Sequence, residues 1–199
     1  MTREIKARSI RMFHPNLKAS PSFALPSEFR LDWYEHGDAT RWIGLQREVE
    51  CRLPITQELY THDFGTDDRV LAERQCFLID GQRLIGTATA WSSDLRGEEL
   101  GRVHWVAIHP DYQGQGLSKP LLSAVCDRLL RLGHDQAFLV TSGERIPAIN
   151  LYLRFGFVPL LRKVRDESVW REIETRLDVP VVDRAVVHSP ILRAKHLLF

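Results

Sequence analysis

Apolar and polar positions along the chain follow two different periods, and the change between them marks the elements. Phe29-Arg-Leu-Asp-Trp33 alternates like a half-buried strand. Gly37-Asp38 then offers a turn and an N-cap for a helix that turns Trp42, Leu45 and Val49 inward. A second helical stretch is expected between Pro54 and Arg74. Cys76 to Ile79, the turn Asp80-Gly81 and Leu84 to Trp91 predict a β-hairpin. A third strand, Arg102 to Ile108, ends at His109-Pro110, because proline cannot donate to a ladder.

From Leu117 the period lengthens. Leu117, Leu121, Leu122, Val125, Cys126, Leu129 and Leu130 recur at three- and four-residue spacing, and Gly133 suits the end of that helix. Gln136 to Thr141 reads as a strand, Pro147 to Phe155 as a helix with Gly156 just beyond it, and Phe157 to Leu161 as another strand. This succession predicts a parallel element grafted onto an antiparallel meander. A further amphipathic stretch covers Trp170 to Leu177. Residues 1–27, with Pro15, Pro21 and Pro26 among short polar stretches, read as an N-terminal extension, 28–165 as one domain and 166–199 as a C-terminal extension.

Composition narrows the function classes. With 44% apolar content, 199 residues can bury one substantial core. The 27 basic and 26 acidic residues nearly cancel and form no basic block, so nucleic acid is not an expected partner. No apolar run approaches the roughly 20 residues that span a bilayer, nor does the start carry a signal peptide's apolar stretch; a cytoplasmic protein without membrane contact is expected. Cys51, Cys76 and Cys126 form no C-x-x-C pair and the histidines no H-E-x-x-H, which predicts reduced thiols and no metal site.

Between the third strand and the long helix lies Asp111-Tyr-Gln-Gly-Gln-Gly116. A glycine-rich loop at a helix start is an anion site, because the first N–H groups of a helix lack intrahelical acceptors and the macrodipole favours negative charge. The P-loop signature G-x-x-x-x-G-K-[ST] is absent, and Lys119 stands where G-x-G-x-x-G needs its third glycine. Loop chemistry alone leaves several phosphate ligands open, a dinucleotide among them.

The flanks narrow that choice. Gln113-Gly-Gln-Gly116-Leu-Ser118 after Trp105 to Tyr112, with Ala148-Ile-Asn-Leu-Tyr-Leu-Arg-Phe-Gly-Phe157 downstream, resembles the GNAT acetyltransferase superfamily over roughly residues 29–165. The resemblance implies an α/β (α+β) fold with a mixed, mostly antiparallel sheet of about six to seven strands. The sheet splays between its fourth and fifth strands, with helices on both faces. It implies acetyl-CoA as co-substrate and a small-molecule or peptide amine as acceptor, with direct attack in a ternary complex. Backbone N–H groups of Gln113, Gly114, Gln115, Gly116, Leu117 and Ser118 would hold the pyrophosphate. Val106 and Ile108 would pair with the pantetheine arm, and an N–H near Val106 or Ala107 would polarise the thioester carbonyl. Arg145 stands where many relatives carry an asparagine that contacts the pantetheine; Asn150 is the nearby substitute. Tyr152 matches the family's tyrosine, which protonates the departing thiolate, although the helix alone would make it a core residue beside Ile149 and Leu153. His104 matches a position from which some members take the amine's proton. His109 is expected in the loop or at the surface, and Asp63, Asp67 and Asp68 as a solvated acidic loop that could also meet a cationic acceptor. A non-catalytic acyl-CoA-binding module is the alternative reading, and a homodimer is left open.

Overall fold

The computed structural model describes residues 8–187 apart from 52, 96 and 178. In chain order its elements are β1 (Ser9–His14), β2 (Phe29–Trp33), α1 (Asp38–Val49), α2 (Gln57–Phe64), α3 (Asp68–Arg74), β3 (Gln75–Asp80), β4 (Arg83–Asp94), β5 (Glu99–Ile108), α4 (Ser118–Arg131), β6 (Ala137–Ser142), α5 (Ile146–Arg154), β7 (Val158–Leu161), α6 (Val164–Leu177) and β8 (Val186–Val187). The architecture is mixed α/β and mostly antiparallel, with eight strands among the described residues where six or seven were expected. They fall into two compact units, a meander unit of residues 21–134 and a terminal unit built from both ends of the chain. No helix among the described residues is long and apolar enough to cross a membrane.

In the meander unit, β2, β3, β4 and β5 pair in that order, all antiparallel. Asp80 pairs with Arg83, so the hairpin loop is Gly81-Gln82, one residue later than expected. β3 is buried on both faces. Phe77 and Ile79 join an aromatic cluster with Trp42, Tyr60 and Phe64 from α1 and α2, so by alternation Cys76 and Leu78 face the other side. There α4 packs on β3, β4 and β5 through Leu121, Leu122, Val125, Cys126 and Leu129, the stripe its spacing predicts. Pro120 is the third residue of α4, where its missing N–H belongs to the unbonded first-turn set, and the helix runs unbroken to Arg131. Of the three free thiols, Cys76 and Cys126 are buried and Cys51 is exposed.

The terminal unit overturns the reading of residues 1–27 as lying outside the core. Ser9–His14 is a strand, antiparallel to β6 on one side and to β7 on the other, with Ile10, Met12 and Phe13 buried. β6 and β7 therefore run parallel with β1 inserted between them. The C-terminal segment is likewise structural: Val169, Trp170 and Ile173 of α6 are buried, and β8 pairs parallel with β7.

Candidate functional site

Along β5 the ladder breaks register once. Thr87 pairs with Ala107 and Thr89 with His104, so Trp105 and Val106 together oppose Ala88. This is a β-bulge, a device that re-aims backbone and side chains. Trp105 has φ 49°, a region costing a bulky L-residue roughly 1–2 kcal/mol. Two contacts hold it there. Its indole N–H donates to Asp63 Oδ2 at 2.5 Å, and its ring meets Trp42 edge-on at 5.1 Å.

Asp63, near the end of α2, accepts more than this one bond. His62 Nδ1 lies 2.9 Å from Oδ1 and His104 Nε2 lies 3.5 Å from Oδ2, a long contact. Burial opposes ionisation of Asp63, but hydrogen bonds from His104, His62 and Trp105 outweigh it and hold the carboxyl well below the usual range. Burial lowers the pKa of His104 against the raising influence of Asp63, which keeps its imidazole neutral at neutral pH. The acidic loop of the sequence reading is thus three engaged carboxylates. Asp67 caps α3 through the Arg69 N–H, and Asp68 meets Tyr34 Oη and His36 Nδ1.

The strand leaves through a tight turn at Pro110–Tyr112, capped by His109. His109, expected in the loop or at the surface, lies in the loop but is buried: Nε2 contacts Glu48 at 2.5 Å and Arg83 at 2.8 Å, while Nδ1 accepts the Asp111 N–H. Gln113 folds back so that its amide donates to the Ile108 carbonyl at 2.9 Å. Gly114 and Gly116 have φ 79° and 81°, and a Cβ built on either would meet nothing within 4 Å. Glycine is needed here for backbone conformation, not for room. Among the described residues, the N–H groups of Gly114, Gln115 and Gly116 donate to no backbone acceptor, and the start of α4 has no side-chain cap. An exposed run of unpartnered N–H groups at a helix N-terminus fits a pyrophosphate.

His104, Val106, Ala107, Ile108 and the segment from Gln113 to Ser118 thus lie on one continuous strand, loop and helix of the meander unit. Tyr152 and Asn150 lie on α5 of the terminal unit. Tyr152 is buried beside Phe157, and burial pushes its phenol up to about 12, with Arg145 pulling the other way; it is a protonated donor at neutral pH. Asn150 is half-buried and Arg145 exposed. One residue and one set of contacts escaped the sequence reading. Asp63, read there only as part of a solvated acidic loop that could meet a cationic acceptor, contacts His104 and Trp105 about forty positions away. His14 lies in the supposed extension; its buried Nε2–H donates to the Phe155 carbonyl at 2.6 Å and fixes the end of the Tyr152 helix.

A bulged strand thus delivers its chain to a loop and helix start suited to an anion. The sequence profile of the Acetyltransferase (GNAT) family matches residues 27–157, and the chain belongs to that family. Among similar curated proteins, the mycothiol acetyltransferase of Saccharomonospora viridis is 39% identical over 94 residues, covering 47% of this chain and 31% of that protein. The chain spans less than half the length of the curated relatives it matches. Of solved structures, a GCN5-related N-acetyltransferase from Sphaerobacter thermophilus superposes with TM-score 0.63 at 20% identity, over 76% of this chain and 48% of that one. AAC(6')-Iy in complex with the bisubstrate analog CoA-S-monomethyl-acetylneamine superposes with TM-score 0.52 at 16% identity, over 65% and 90%. These two likenesses concern the fold.

Proposed function

We propose that the protein transfers an acetyl group from acetyl-CoA to a primary amine by direct attack in a ternary complex. The observation that carries this reading is the open Gly114–Gly116 loop, its N–H groups unpartnered, at the start of α4 and directly after a bulged strand. When bound, acetyl-CoA supplies an activated thioester. The N–H groups from Gln113 to Ser118 hold its pyrophosphate, and the strand around Val106 and Ile108 aligns its pantetheine arm. The bulge turns an N–H near Val106 or Ala107 toward the position where oxyanion charge develops. His104, neutral through burial and backed by Asp63, takes the proton of the attacking amine. Tyr152, protonated throughout the neutral range, returns a proton to the thiolate. Asn150 is the candidate side-chain contact to the pantetheine. Relatives named mycothiol acetyltransferases and the acetylneamine bisubstrate analog held by a structural neighbour support an amine-bearing small molecule as acceptor.

The test is acetyl-CoA binding by calorimetry together with CoA release on a panel of amines, polyamines and peptide N-termini. Tyr152→Phe should bind acetyl-CoA like wild type and lose roughly 10²–10⁴ in kcat. Tight acetyl-CoA binding with no release on any amine would replace the enzyme reading with that of a binding module.

A further inference from the structure

In the terminal unit, among the described residues, the β1–β7 ladder comprises Met12 with Pro159 and Phe13 with Val158. Toward the start of β1 and the end of β7 lies a cleft of about 420 Å³, a size that suits a small organic ligand. Its lining holds five cations, Arg8, Arg11, Arg162, Lys163 and Arg165, against the single carboxylate of Asp166. In a protein whose formal net charge is +1, this is a local concentration of positive charge. Asp166 is already committed: its Oδ2 accepts the backbone N–H groups of Arg162 at 2.8 Å and Lys163 at 2.9 Å, at the start of α6. Arg162 Nε is buried and has no hydrogen-bond partner among the described residues, an orphaned donor of the kind that calls for a ligand. Burial and then the neighbouring Arg162 charge lower the pKa of Arg11 against Asp166, so two guanidinium groups repel one another at this place. Ser9 apart, the remaining wall, Ile10, Leu160, Val169 and Trp170, is apolar.

We propose that this cleft binds a small phosphate ester, its phosphate bridging Arg11 and Arg162 and its organic part lying on the apolar wall. An anion there satisfies the orphaned Nε, relieves the repulsion, and meets arginine forks suited to bidentate phosphate contact. The site is built entirely from terminal-unit residues and is independent of the reading of the Gln113–Ser118 loop as a pyrophosphate site.

The experiment is calorimetry of phenyl phosphate on the full chain at low salt, with phenol as the neutral control. Saturable binding with Kd below about 1 mM, absent for phenol and weakened by salt, is expected. Arg11→Gln combined with Arg162→Gln should weaken it at least roughly tenfold, the scale of losing one charge-assisted hydrogen bond. Because those residues are partly buried, Lys163→Gln with Arg165→Gln provides a second variant on exposed side chains and should weaken binding without altering thermal stability. Acetyl-CoA affinity should stay unchanged in both. The proposal is overturned by absence of saturable phenyl phosphate binding up to about 10 mM, by binding that neither variant changes, or by competition from acetyl-CoA with parallel loss of its affinity in the variants.

Discussion

Asp63 shows how one carboxylate can set several groups at once, and three predictions belong to this residue scale. Its field raises the pKa of His104, which burial lowers, so the neutral imidazole needed by a base persists below the usual histidine value of about 6.5. The acid limb of CoA release should therefore lie below that value. Asp63→Asn should move the limb lower still, and His104→Ala should abolish it with a kcat loss of roughly 10²–10⁴. A limb that stays in place in both variants would remove His104 from the reaction. Asp63→Ala also leaves the Trp105 indole N–H without its acceptor, costing about 1–3 kcal/mol in a denaturant titration. Gly116 is governed by backbone conformation: φ 81° is hostile to a β-branched residue, while nothing lies within 4 Å of its Cβ position. Gly116→Val should distort the loop and weaken acetyl-CoA at least roughly tenfold by calorimetry, with Gly116→Ala intermediate. Equal affinity in both variants would mean that the pyrophosphate sits elsewhere.

At the scale of elements, legibility followed the density of local signals. The hairpin, with its loop one residue later than expected, and β5, α4, β6 and α5 were located because period, turn residues and helix ends agree over short windows. β1 was missed although Ile10 and Met12 alternate with Arg11, because three prolines follow a six-residue strand whose partners lie about 130 residues away. The bulge at Trp105 was invisible for a different reason: nothing local marks it, and it is held by Asp63 from another element. The junction of α5 with β7 shows what that distant strand does. Gly156 has φ 94°, and a Cβ there would lie 2.9 Å from His14 Nε2, the atom that donates to the Phe155 carbonyl. Gly156→Ala should destabilise by about 1–3 kcal/mol through strain and collision. Gly44→Ala, exposed within α1 with nothing within 4 Å and ordinary φ, should instead stabilise by roughly 0.5–1 kcal/mol. Chemical denaturation of the two variants side by side checks the contrast, and equal effects would contradict it.

For the whole molecule, near-neutral composition conceals how protonation couples to folding. His14, His104 and His134 all have pKa values lowered, in each case first by burial. His14 shows the structural basis: Nε2–H donates to the Phe155 carbonyl while Nδ1 accepts the Asn16 N–H, so a second ring proton has no acceptor to meet. A group whose folded pKa lies below its unfolded value near 6.5 is protonated first in the unfolded chain. Its contribution is therefore complete above about pH 6.5 and is lost as pH falls through that value toward the folded pKa. His36 runs the other way, raised by its hydrogen bond to Asp68, but it lies at the exposed surface where solvent screens the pair. The depressed pKa of Asp63 acts in the same direction as these three histidines, but only below the ordinary carboxylate range. The three histidines occur in both units, His14 in the terminal one and His104 and His134 in the meander. Acidification from pH 7.5 to 5 should thus lower Tm in a scan at constant ionic strength, and the fall should be shallower in His14→Gln, whose amide does not titrate. A Tm that holds or rises over that interval would show that these imidazoles are not held neutral by the fold.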